Sequence, residues 1–109
     1  MMNISERYRD LVAETRDLLL TLQEETPASE AAARELRALE DALQGLVELE
    51  EGVGEIPRIR LEVELTPVLL KAHNQIDRAR LVLDEQQRAE RVATAWELQQ
   101  TIYRLLNDL

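Results

Sequence analysis

Ile4, Tyr8, Leu11, Thr15, Leu18 and Leu22 follow one another at steps of four, three, four, three and four, the repeat that keeps side chains on one face of an α-helix. A strand cannot use that spacing, because its side chains alternate and the six positions would scatter over both faces. The pattern predicts a helix from about Ser5 to Glu24, with Ser5 as its N-cap. Ala32, Leu36, Leu39, Leu43 and Leu46 repeat the stepping and predict a second helix from about Pro27 to Glu50. Thr26 is placed to cap it, with Pro27 at the first helical position, where a missing N–H costs nothing. Two such seams joined by a short turn imply a helical hairpin over residues 5–50.

Gly52, Gly54 and Pro57 interrupt this regularity, so residues 51–57 are expected to end the second helix and bend the chain. From there Arg58-Ile59-Arg60-Leu61-Glu62-Val63-Glu64-Leu65 alternates charged and apolar without exception, which predicts a strand over 58–65. An antiparallel copy centred on Leu61 would set Arg60 against Glu62 and Arg58 against Glu64, the cross-strand pairing that stabilises a ribbon. Since the chain holds no second strand pattern, the partner strand would come from another copy or another protein. The helical alternative stays open: Arg58 and Glu62, and Arg60 and Glu64, are also four apart, and Ile56, Ile59 and Val63 would share a helix face. The order Arg before Glu, the weaker one on a helix, favours the strand.

Thr66-Pro67 then predicts a helix start, with Leu69, Ala72, Ile76, Ala79 and Leu83 as its buried stripe. Asp84 and Gln87 have the spacing of a capping box, yet no glycine or proline occurs after Pro67. The region 67–108 therefore reads as one long helix or as a second hairpin, with Ala89, Val92, Trp96, Tyr103 and Leu106 as the last apolar stripe. The fold class is mainly all-α: a single helical domain of 109 residues, with a short strand at 58–65 that would pair across a dimer.

Charge divides the chain unevenly. Residues 1–56 carry 14 acids and 5 bases, a net of −9, whereas residues 57–109 carry 8 of each. An acidic first half repels phosphate backbones and suits a soluble protein with protein partners. No apolar run approaches the length of a membrane span, the first residues lack a signal-peptide pattern and there is no cysteine, so a cytoplasmic location and no membrane association are expected.

Motifs of known chemistry are sparse. There is no phosphate-binding glycine loop and no nucleophile elbow, and Ser5 and Ser29 both occupy capping positions. His73 has Asp77 one turn away but no further metal ligand nearby in sequence. Glu48, Glu50, Glu51 and Glu55 surround the glycines, oxygen ligands of the kind a hard cation uses. The spacing Glu50-Glu51-x-x-x-Glu55 resembles the Glu-Glu-x-x-Glu signature of MazG-type nucleotide pyrophosphohydrolases, lengthened by one residue. That resemblance implies magnesium-dependent hydrolysis of nucleotides. A strand followed by helices over residues 57–109 also resembles the ribbon-helix-helix repressors, which implies DNA reading by Arg58 and Arg60.

These readings converge on a non-enzymatic protein-protein interaction module, a small acidic adaptor, assembly factor or chaperone acting as a homodimer. No cofactor, metal or catalytic residue is assigned. The expected contact residues are Arg58, Arg60, Leu61, Glu62 and Glu64 in the ribbon, with Trp96 and Tyr103 seven apart on one helix face.

Overall fold

The computed structural model describes residues 2–25 and 30–109, with side chains except at 30–32. Four helices follow in order: α1 (Ile4–Glu25), α2 (Glu30–Glu50), α3 (Arg58–Glu85) and α4 (Ala89–Asp108), with a 3₁₀ turn at Val53–Glu55. No strand occurs among the described residues. Helix α1 packs on α2 and α4, and α3 packs on the same two, which closes the helices into an antiparallel four-helix bundle 44 Å long and about 22 Å wide.

All six residues of the first seam are buried in α1. Thr15, the polar member, donates its hydroxyl to the Leu11 carbonyl at 2.8 Å, so no unpaired polar group enters the core. Tyr8 likewise donates its hydroxyl to the Leu46 carbonyl of α2, and burial, followed by repulsion from Glu50 and Glu48, pushes its pKa well up. The N-cap of α1 is Asn3 rather than Ser5: the Asn3 side-chain oxygen accepts the Glu6 N–H at 2.8 Å and the Ser5 hydroxyl at 2.7 Å. The Thr26-Pro27 cap lies outside the described residues. In α2 the inward face is Glu35, Leu39, Ala42 and Leu46, with Leu36 and Leu43 partly buried at its margin. Of the expected seam, Leu39 and Leu46 are buried, Leu36 and Leu43 lie at the margin, and the side chain of Ala32 lies outside the described residues; Ala42 and the charged Glu35 take the inward positions instead.

Residues 58–65 are helical, not a strand, and α3 runs through Thr66-Pro67 instead of starting there. Pro67 deprives the Val63 carbonyl of its helical donor, a defect of about 3 kcal/mol in a helix interior. Against it stands the burial of Leu61 and Leu65, each contributing about 1.5–3 kcal/mol, which extends the inward stripe Leu69, Ala72, Ile76, Ala79 and Leu83 by two turns. The Arg60–Glu64 ion pair joins successive turns of this extension. A strand would put Ile59, Leu61, Val63 and Leu65 all on one face; the helix turns Leu61 and Leu65 inward and leaves Ile59 and Val63 outside.

The break between α3 and α4 is a Schellman turn. The Arg88 N–H donates to the Leu83 carbonyl at 3.1 Å and the Gln87 N–H to the Asp84 carbonyl at 3.0 Å. Gln87 sits at φ 60°, a left-handed position where glycine is the usual occupant. The side chain of Arg88 then spans the bundle end, donating to Glu35 of α2 at 3.0 Å and to Glu25 of α1 at 3.1 Å. Arg91 adds two bonds to Glu25, at 2.8 and 2.7 Å. Glu35 is fully buried, and Arg88 at the turn is a cation beside it. The inward face of α4 is Ala95, Leu98, Gln99, Ile102 and Leu105, rotated from the expected stripe, and Trp96 and Tyr103 are left half exposed.

Two substitutions test this turn by chemical denaturation. Gln87→Gly relieves the left-handed strain and raises stability by about 1 kcal/mol. Arg88→Ala strips the guanidinium from a buried carboxylate and lowers stability by about 3 kcal/mol.

Candidate functional site

Helix α3 carries a second stripe that faces away from the core. Ile59, Val63, Thr66, Leu70, His73, Asp77 and Leu81 step by four, three, four, three, four and four, along the edge of α3 that borders α4. Its apolar members are open to solvent: Ile59 is 88% exposed and Val63 75%, with Leu70 and Leu81 near half. Helix α4 contributes Trp96 and Tyr103, 53% and 47% exposed, on its outer face toward α3. Together these side chains form an exposed strip on the α3/α4 side of the bundle, its apolar members interleaved with Thr66, His73 and Asp77.

A polar latch runs between the two helices. Asp77 Oδ1 accepts from Arg80 Nε at 3.2 Å and Nη2 at 2.8 Å, and from the Gln99 amide at 3.1 Å. Those bonds, Arg80 first and Gln99 second, hold the Asp77 carboxyl below its ordinary pKa against a smaller opposing effect of burial. The His73 ring meets Tyr103 edge-on, centroids 4.8 Å apart, and its Nε2 lies 3.4 Å from Gln99 Nε2. The latch and Trp96 line a shallow groove of about 230 Å³. Because Arg80 and Gln99 both donate to Asp77, a partner covering the groove meets a charge pair rather than a lone charge.

The same contacts set the register of α3 against α4. With Asp77 level with Gln99 and His73 with Tyr103, α4 ends at Asp108 opposite Val68. The turns from Arg58 to about Thr66 therefore project past the end of α4 by roughly 15 Å. The connection at Val53–Ile56 supports them on the core side, where Val53 and Leu61 are buried.

Of the contact residues expected from sequence, Arg58, Arg60 and Glu62 are exposed on this projection and Glu64 is half buried beside Arg60. Leu61 is core, at 9% exposure, and does not reach the surface strip. With no strand at 58–65 there is no ribbon to enter a DNA groove, and the likeness to the ribbon-helix-helix repressors loses its structural basis. Ile59, Val63, Leu70 and Leu81 are absent from the expected contacts because assigning 58–65 to a strand hides the helical stepping that links them. The signal was the four-residue spacing of Ile59 and Val63 continued at Leu70.

The acidic turn is held by its backbone: Arg9 donates to the Glu50 carbonyl at 3.1 Å and the Glu51 carbonyl at 3.4 Å, while Arg16 reaches the Glu50 carboxylate at 3.5 Å. Among the described residues no three His, Cys, Asp or Glu side chains come together as a metal-holding group. Nor is any described helix long and apolar enough to cross a membrane.

Fold and surface together define a four-helix bundle with one amphipathic outer face. No protein-family model, curated protein or solved structure matches this chain.

A second groove, between α1 and α4, crowds acids instead. Burial raises the Glu14 pKa, and Asp10, Glu97 and Asp17 raise it further. A carboxyl whose folded pKa lies above its unfolded value costs stability once pH exceeds both, and costs nothing below the unfolded value. Glu14→Gln is expected to stabilise the protein at pH 7 by a few tenths of a kcal/mol. That gain disappears below about pH 4, and thermal melts at the two pH values read the difference.

Proposed function

We propose that this chain is a non-enzymatic protein-interaction module whose binding surface is the outer face of α3 and α4. The observation that carries the reading is the strip Ile59, Val63, Leu70, Leu81, Trp96 and Tyr103, apolar and uncovered on a bundle whose core is already filled by other residues. Trp96 and Tyr103 supply the large amphipathic side chains that anchor interfaces, and the aliphatic members supply area to be removed from water. The Asp77–Arg80 ion pair makes covering this groove less costly than covering a lone charge. Two helices with outward stripes at helical spacing suit a helical partner laid along the groove. An adaptor, assembly factor or chaperone would work in this way, by burial of apolar surface and without chemistry.

Native mass spectrometry of the protein gently purified from its source cells tests the reading. The expected spectrum shows protein mass beyond one chain, whether a second copy or another protein. That mass is lost in an Ile59→Glu/Val63→Glu variant whose circular dichroism is unchanged, since both positions are solvent-exposed in the isolated chain. A bare monomer from wild-type cells overturns the proposal, and added mass retained by the variant moves the binding surface elsewhere.

A further inference from the structure

We infer that the occupant of this face is a second copy of the chain, docked antiparallel with Leu70 of both copies at a two-fold axis. The inference rests on the reading of α3 and α4 as a binding face and adds the identity of the partner. The aliphatic members of the outward stripe are spaced evenly about Leu70: Ile59 precedes it by eleven residues and Leu81 follows by eleven, while Val63 and Asp77 stand at seven. In an antiparallel pair of α3 helices, Leu70 meets its own copy, Ile59 meets Leu81 of the second copy at both ends, Thr66 comes beside His73, and Val63 comes against Asp77, which Arg80 and Gln99 already hold.

The projection past α4 gains a role in this arrangement. Trp96 lies level with Arg80 of its own α3, in the register set by Gln99 on Asp77. An α3 helix reversed about Leu70 brings Arg60 of the second copy to that level, with Ile59 and Val63 on either side of it. The two most exposed aliphatic side chains of one copy thus come beside the exposed tryptophan of the other. Among the described residues of a single chain nothing covers Ile59 or Val63.

Charge and length agree with this partner. The α1/α2 half of the sequence carries the whole net charge of −9 and the half containing α3 and α4 is neutral, so a dimer through α3 and α4 joins the neutral halves and keeps the acidic ones apart. Reversed about Leu70, the two α3 helices overlap from residue 58 to 82, about 37 Å by helical rise, so the contact runs most of the 44 Å length of the bundle. Arg60 is already paired with Glu64, and Lys71 lines a groove with Asp41 and Glu48 of α2, so the edge of α3 away from α4 carries little net charge. Each copy carries −9 as a whole, and the dimer is expected to tighten as added salt screens the repulsion between copies.

The chain has no cysteine, so introduced ones report proximity without background. With the purified recombinant chain alone, sedimentation equilibrium is expected to show a dimer that tightens with salt, and Ile59→Glu weakens it by about tenfold or more. Under mild oxidation Leu70→Cys cross-links to itself. An equal mixture of Ile59→Cys and Leu81→Cys chains gives mainly the mixed dimer, whereas Leu20→Cys on exposed α1 stays monomeric; the exposed pair keeps the test valid should Leu70→Cys misfold. A dimer that loosens with salt, or one in which the Ile59→Cys and Leu81→Cys chains fail to join, overturns the antiparallel arrangement. A recombinant monomer at every soluble concentration overturns the second copy. In that case foreign protein mass on the chain from source cells keeps the interaction reading, and a bare monomer there removes both.

Discussion

The bundle depends on the charged clasp at the turn between α3 and α4. Arg88 reaches Glu35, which is fully buried on α2, and Glu25 at the end of α1, so one side chain ties three helices at one end of the molecule. Glu35 stands in line with Leu39, Ala42 and Leu46 on the inward face of its helix. A carboxylate there is stabilised by a cation beside it, and the reversal at Gln86–Arg88 brings Arg88 to that place. The reversal is made by a non-glycine residue in the left-handed region, which the backbone bonds of the Schellman turn and the clasp together hold in place. At the opposite end, Arg7 on Asp108 and Tyr8 on the Leu46 carbonyl close the same helices around a leucine-rich interior.

Helix α3 is amphipathic twice over. Its inward seam fills the core, and its outward stripe of Ile59, Val63, Leu70 and Leu81 serves no packing purpose within the chain. Because the inward seam continues through Leu65 and Leu61, the helix extends past Pro67 and beyond α4, carrying Ile59 and Val63 into open solvent. Core packing and surface exposure are linked here: the leucines that lengthen α3 are what present the outward residues. The latch of Asp77, Arg80 and Gln99 joins α3 to α4 beside that stripe, so the strip belongs to a rigid pair of helices.

Much of the α1 and α3 core was legible as spacing, since the six-residue seam of α1 and the stripe from Leu69 to Leu83 are buried as their steps require. The rest failed for identifiable reasons. Residues 58–65 satisfy period two and, at Leu61, Leu65 and Leu69, a helical four-residue step, and an eight-residue window cannot choose between them. Helix α4 offers two stripes, the expected one that includes the aromatics and the set Ala95, Leu98, Ile102 and Leu105 that faces the core together with the polar Gln99. Gln87 carries no turn signal, because glutamine is not a residue that favours positive φ. Of the candidate surface, Trp96 and Tyr103 were readable from their seven-residue spacing, but their aliphatic companions on α3 emerge only once 58–65 is helical.

The sequence by itself determined that the chain would be built of helices with leucine seams, since three-and-four stepping can be buried in no other regular structure. It also determined where acid accumulates and where it does not. Tertiary structure alone decided that 58–65 joins α3, that α3 and α4 separate at Gln86–Arg88, and that Trp96 and Tyr103 face out. Each of those choices is a competition between two locally acceptable conformations, separated by a few kcal/mol at most. They are settled by partners distant in sequence, the core below Leu61 and Leu65 and the buried carboxylate of Glu35, which local spacing does not encode.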